Sequence, residues 1–154
     1  MITGKRGNTI TLEGNRIMWR NFSGEKSQFH TRSFSVEIAP EDIDDLVAEG
    51  WPITVLEPRQ NGDPVRGAMF VTLYYNDYPP MVVVVGPDKK TKYDEKRVGD
   101  LDQLAFEKVS MRVSLGKPGR TGKRTVYLQS LWATLRRDDF EAQFDNIPWS
   151  DMGE

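Results

Sequence analysis

A two-residue alternation of apolar and polar side chains, recurring in short runs, constrains this chain more than any other feature. "TITLE" and "RIMWRNF" lie either side of Gly14, and "SFSVEI" covers Ser33–Ile38. "AMFVTLYYN" (Ala68–Asn76), "KVSMRVSL" (Lys108–Leu115) and "RTVYLQSLWATL" (Arg124–Leu135) repeat the pattern. Period two places successive side chains on opposite faces of a strand, so these runs are read as strands with one buried face. Gly14 is read as a bend or bulge within one long strand. "PITVLEP" is another strand, and "MVVVV" one buried on both faces. In "AMFVTLYYN", Val71, Leu73 and Tyr75 share one face and Phe70, Thr72 and Tyr74 the other. Trp19, Phe34, Trp51 and Tyr75 are assigned to the core. The best helix is "PEDIDDLVAEG": Pro40 opens it, carboxylates fill its first turn, Ile43, Leu46 and Val47 form its stripe, and Gly50 stops it. "GPDKKTKYDEKRVGD" is a charged excursion expected to run into a short helix through Leu101 and Leu104. Many short strands and one helix indicate a small β-barrel or sandwich.

At 154 residues, one domain can bury a core without covalent staples. The chain has no cysteine, which excludes disulfides, thiolate zinc sites and a cysteine nucleophile. Its single histidine, His30, excludes a two-histidine metal site. The opening "MITGKRGNTITLEG" lacks a secretory apolar run, and no segment reaches membrane-spanning length, so a cytoplasmic location is expected. Net charge is −2 but uneven. Six acidic and no basic residues follow Arg137, leaving the first 137 residues with 21 basic and 17 of the 23 acidic side chains. A basic body with an acidic end fits a binding domain, residues 1–137, that meets polyanions and a tail, residues 138–154, that imitates one.

The connection "LGKPGRTGKRT" (Leu115–Thr125) tests what the positive charge is for. A nucleotide phosphate loop needs Gly, four residues, then Gly-Lys-Ser/Thr ahead of a helix. Here position 117 is Lys, position 124 is Arg, and both flanks are strands. The segment is therefore a hairpin loop whose Lys117, Arg120, Lys123 and Arg124 meet no acidic residue, an arrangement suited to phosphate contact. Cations interleave with aromatics elsewhere too: Arg16, Arg20 and Phe22 lead to Phe29 and Arg32, Phe70 and Tyr74 share a strand face, and Tyr93 sits among lysines. Single-stranded nucleic acid is bound by such a pairing, in which cations follow the phosphates and flat rings stack on unpaired bases. These twelve residues are the candidate DNA-binding set. Asp42, Asp44 and Asp45, or Asp100 and Asp102, are the weaker basis for a metal-dependent nuclease. A protein-interaction module without DNA binding is a further alternative.

After Arg137, "DDFEAQFDNIPWSDMGE" is acidic and dotted with aromatics. Its "DNIPW" resembles the carboxylate-Ile-Pro-Phe ends of bacterial single-strand binders, with Trp for Phe and five residues beyond. That resemblance marks Asp145, Ile147, Pro148 and Trp149 as a docking segment for replication or recombination proteins. "NFSG" (Asn21–Gly24), "RSFSVEI" (Arg32–Ile38), "LVAEGWPITVLEP" (Leu46–Pro58), "VTLYYNDYPPMVVVV", "VGDLD" (Val98–Asp102) and "VYLQSLWATL" follow one another through the chain. In these stretches the body resembles the phage-type single-stranded DNA-binding proteins with an oligonucleotide-binding (OB) fold. The resemblance implies a mainly β, OB-fold-like five-stranded Greek-key barrel with one main helix and long basic loops. It further implies non-catalytic, sequence-independent coating of single-stranded DNA in phage replication or recombination, in the host cytoplasm, without a cofactor or metal.

Overall fold

The computed structural model describes residues 1–58 and 60–136. The chain forms β1 (Ile2–Arg6), β2 (Thr9–Glu13), β3 (Ile17–Asn21), β4 (Ser33–Ile38), α1 (Pro40–Ala48) and β5 (Ile53–Leu56). It continues through β6 (Arg66–Thr72), β7 (Met81–Val85), β8 (Lys90–Tyr93), a 3-10 helix (Val98–Gln103), β9 (Phe106–Leu115) and β10 (Val126–Leu135).

β2 and β3 are two halves of one bent strand. Gly14, at φ 76°, turns the chain. Its N–H donates to the Val109 carbonyl at 2.9 Å, while the Glu37 N–H donates to the Arg16 carbonyl at 2.8 Å. The bend thus stays bonded to a neighbour on each side. β2 pairs antiparallel with β9, and β3 with β4. β4 pairs antiparallel with β6, β6 runs parallel to the start of β10, and β10 pairs antiparallel with β9. Pairing therefore returns to the strand it started from and closes an OB-like barrel of five strands. Four further strands extend this frame, β1 beside β2, β5 beside β6, and β7 along β10 with β8 outside it, so that among the described residues the sheet has ten strands when β2 and β3 are counted separately. β6 and β7 use the same edge of β10, so residues 73–80 leave the sheet between them, with Tyr74 and Tyr78 exposed and Tyr75 packed against the core.

The alternation of the sequence becomes the core. β9 buries Val109, Met111, Val113 and Leu115, and β10 buries Val126, Leu128, Leu131 and Ala133. The odd step from Leu128 to Leu131 is a bulge, marked by a register shift between Leu128 and Ser130. Phe34, Met69, Val71 and Leu101 are sealed inside; full burial of such a side chain stabilises by about 1.5–3 kcal/mol. In α1, Pro40 occupies the first turn, and Ile43 and Leu46 face the core. Its end is a Schellman motif, with Gly50 N–H donating to the Val47 carbonyl and Trp51 N–H to the Leu46 carbonyl, each at 3.0 Å. Trp51 is buried there as expected, whereas Val47 is exposed, which narrows the expected helical stripe. The charged excursion holds β8 as well as the expected short helix. Among the described residues no helix is long and apolar enough to cross a membrane.

Candidate nucleic-acid interface

The candidate interface comprises the outer faces of β3, β4 and β6, the β3–β4 loop (residues 22–32) and the β9–β10 loop (residues 116–125). On the outer face, register places Met18 beside Ser35 and Ser35 beside Phe70. Ser33 and Ser35 form a low floor next to Phe70 and Thr72. Phe70 is 55 % exposed although both of its strand neighbours are sealed in the core. Beyond Thr72, Tyr74 meets Tyr127 of β10 edge to face, with ring centroids 6.1 Å apart.

Trp19 is the main departure from the sequence reading. Strand alternation places it in the core, yet it is 65 % exposed. A register shift lies between Met18 and Asn21, and Trp19 has a left-handed φ of 49°. The irregularity breaks the alternation, turning Trp19 out and Phe22 in. Trp19 then walls a groove of about 470 Å³ with Arg16, Met18, Arg20, Glu57 and Arg66. Arg66 is partly neutralised by Glu37 at 2.7 Å.

The same irregularity corrects Phe22, which was expected to face a base. It is fully buried and stacked on Phe34, with centroids 5.2 Å apart. Tyr93 is also a correction: it lies in the core cluster, and Arg97 covers its ring at 4.8 Å. Three expected phosphate contacts are used internally instead, because an arginine fork can satisfy backbone carbonyls that no strand reaches. Arg20 donates to the carbonyls of Leu101 and Leu104 and lies over the Phe106 ring. Arg32 donates to the Phe22 carbonyl at 2.6 Å. Arg124 donates through Nε to the Gly116 carbonyl at 2.8 Å, with its guanidinium against Gly50. Arg16, Lys117, Arg120 and Lys123 remain exposed.

The β3–β4 loop is tied by side chains. Asn21, itself buried, accepts from the Lys26 N–H at 3.1 Å and donates to the Thr31 carbonyl at 3.2 Å. Asp102, from the 3-10 helix, accepts from the N–H groups of Phe22 and Ser23 at 2.7 and 3.2 Å. A Cβ on Gly24, at φ 77°, would come within 2.5 Å of the His30 carbonyl oxygen, so the loop closes only over glycine. At its tip Phe29 stands 83 % exposed.

Tyr78 is more exposed still and lines a second groove with Tyr74, Asp77 and Tyr127. Neither Tyr78 nor Tyr127 was singled out from the sequence. Tyr127 had a signal, since it alternates with Val126 and Leu128; Tyr78 had none. Tyr75 packs against the core as expected, but its hydroxyl is buried with no hydrogen-bond partner among the described residues. Burial pushes that hydroxyl up to about 12, Asp94 and Glu95 add to the shift, and Arg32 opposes it. Among the described residues no three His, Cys, Asp or Glu side chains gather to hold a metal. Asp145, Ile147, Pro148 and Trp149 lie outside the described residues.

The arrangement is similar to solved single-strand binders. A C-terminally truncated single-stranded DNA-binding protein from bacteriophage Enc34 aligns with a TM-score of 0.53 at 9 % identity, over 91 % of this chain and 97 % of its own. The Enc34 protein without that truncation gives 0.52 at 9 % identity, over 96 % and 90 %. The single-stranded DNA-binding protein gp2.5 of bacteriophage T7 is 16 % identical over 92 % and 95 %, with a TM-score of 0.41. At these identities the Enc34 likeness is one of fold. No curated protein matches the chain in sequence. The family model of the phage ssDNA-binding domain matches residues 2–153, and the chain belongs to that family.

Proposed function

We propose that this protein binds single-stranded DNA without catalysis and without sequence preference, coating it during phage DNA replication or recombination in the host cytoplasm. The observation that carries the reading is that Trp19, Phe70 and Tyr74 stand exposed on or beside the outer face of β3, β4 and β6, with half-buried Tyr127 edge to face against Tyr74, and that Arg16 and the 116–125 loop add exposed cations. Single exposed rings are ordinary on a protein surface; several on one concave, basic face mark a contact. Each offers a flat platform to any unpaired base, worth about 1–3 kcal/mol, while Lys117, Arg120 and Lys123 neutralise phosphates. The face of the second and third barrel strands, with the loops flanking it, is where barrels of this topology take oligonucleotides. Here those strands are β4 and β6. Duplex DNA hides its base faces, so the rings gain nothing from it.

The direct test is titration of labelled single-stranded DNA, RNA and duplex at two salt concentrations. Single strands are expected to bind more tightly than duplex, with affinity falling steeply as salt rises and counterions are released. Equal affinity for both forms rejects the reading. Salt-insensitive binding, or none, favours a protein-interaction module.

The acidic tail supports a finer proposal. Its carboxylates compete with nucleic acid for the basic face, and Asp145, Ile147, Pro148 and Trp149 dock replication or recombination proteins. Removing residues 138–154 is expected to tighten DNA binding; unchanged or weaker affinity in the truncated protein rejects the competition.

A further inference from the structure

A third groove adjoins the aromatic pair on the opposite side from Phe70. It occupies about 560 Å³ over the outer face of β1, β2 and β9. It shares Ser114 and Gln129 with the roughly 430 Å³ groove that Tyr74, Tyr78 and Tyr127 line, so the two form one channel. Cross-strand register shows how they connect. Arg6 pairs with Thr9, Thr9 with Ser114, Ser114 with Tyr127, Tyr127 with Thr72, and Thr72 with Ser33. Paired residues share a face, so this is one continuous rung from the edge strand β1 to the floor beside Phe70. The next rung runs from Gly4 through Thr11 and Arg112 to Ser130. Five steps of about 4.8 Å carry the first rung some 24 Å across the strands.

The chemistry of the extension suits phosphate. Its floor is hydroxyl-bearing and low, and Gly4 leaves it open. Arg6 and Arg112 are exposed, and neither has a hydrogen-bond or ion-pair partner among the described residues. Lys5, by contrast, pairs across the ladder with buried Ile10 and reaches Glu49 at 2.8 Å, so it is already neutralised. Among the described residues Asp77 is the one carboxylate lining either part, and it lies in the aromatic section. Glu13, opposite Ser110, is the nearest carboxylate further along β2.

We propose that this channel is a second segment of the binding track. A single strand leaving the Tyr74–Tyr127 pair continues over β9 and β2, with its phosphates held by Arg112 and Arg6. The edge strand β1, an addition to the five-stranded barrel, thereby lengthens the site. The inference rests on the single-strand reading above and adds an occluded length to it.

The test compares oligo(dT) of about 6 and about 16 nucleotides, lengths spanning the range of single-barrel sites. Binding is followed by anisotropy for the full chain and for an Arg6→Glu, Arg112→Glu double variant. Both side chains are exposed, so an unchanged thermal transition is expected and checks the fold. The long oligonucleotide should lose about tenfold or more in affinity, and its salt slope should fall by about 1.4 for two phosphates. The short one should bind as before. An unaltered long-oligonucleotide affinity and slope overturns the extension while leaving the single-strand reading intact. Equal losses at both lengths place the arginines in the primary site and also overturn it. Failure of the unaltered protein to bind either length defeats the single-strand reading, and the extension with it.

Discussion

The loops at residues 22–32 and 116–125 look alike in sequence, each polar, glycine-bearing and set between two strands, yet they are built in opposite ways. The first is bound from within and from outside: Asn21 bridges it, the Ser27 hydroxyl accepts from the Thr31 N–H at 2.8 Å, and Asp102 grips its entrance. The second is held at its base, where Gly116 N–H donates to the Thr125 carbonyl and Arg124 returns to Gly116. Inside it, among the described residues, only short turns link Gly119 to Lys123 and Gly122 to Gly119. A ring that stacks must be held at a fixed height and angle, because misplacement forfeits the contact. A cation that neutralises phosphate acts over several ångströms, so it needs charge more than position. The tied loop presents Phe29; the loosely tied loop presents Lys117, Arg120 and Lys123. Structure and task match in each.

This contrast can be broken from either side. The largest effect is expected for Asp102→Ala, which leaves two backbone N–H groups without their carboxylate. Such charge-assisted bonds contribute about 1.5–3 kcal/mol each at most. A loss of roughly 3 kcal/mol in denaturant unfolding is expected, together with the contribution of Phe29 to binding. Full stability in that variant would show the loop does not depend on its carboxylate. Next, Phe29→Ala should cost about 1–3 kcal/mol of single-strand affinity and leave the salt slope alone, since no phosphate contact is removed. The loop variant Lys117→Ala, Arg120→Ala, Lys123→Ala should reverse that signature, with roughly tenfold weaker binding and a slope lower by about 2. Interchanged signatures would mean the assignment of the two loops is wrong.

The smallest effect concerns Tyr75, which follows Tyr74 out of the sheet. Its hydroxyl has no hydrogen-bond partner among the described residues, so Tyr75→Phe should raise stability by about 1 kcal/mol at neutral pH. The sign at high pH follows from linkage. Burial holds the folded hydroxyl protonated to about 12, above its value of 10.0 in the unfolded chain. The unfolded form therefore releases a proton first, and stability falls as pH rises through that window. The Phe variant should lack this component of alkaline destabilisation when unfolding is followed between neutral and alkaline pH.

Much of the barrel was legible because alternation is a physical consequence of burying one strand face. β6, β9 and β10 read directly, and the faces assigned to Phe70 and Tyr74 are those observed. β3 did not, because one irregular residue inverts every face that follows it. Extrapolating from Arg20 across that point sent Phe22 outward and Trp19 inward, the reverse of the structure. β1 carries no alternation in "ITGKR" and was missed, since an edge strand with one neighbour needs little apolar surface. Charge was legible as a total but not by residue: Arg16 and Lys117 are exposed, whereas Arg20, Arg32 and Arg124 satisfy backbone carbonyls. Which cations are committed inward depends on where the loops end, and that is fixed only when the chain has folded.

The central claim is that exposed rings and cations on one outer face receive unpaired bases. Trp19 reports on it directly, being 65 % exposed in the groove, whereas Trp51 is buried and Trp132, 38 % exposed on β10, lies under Lys90. Titration with oligo(dT), followed by tryptophan fluorescence in the unaltered protein and in Trp19→Phe, is the measurement of choice. Salt-sensitive quenching that is largely lost in the variant is the predicted result. Binding that leaves Trp19 fluorescence untouched, or that is as strong for duplex DNA, would contradict the account.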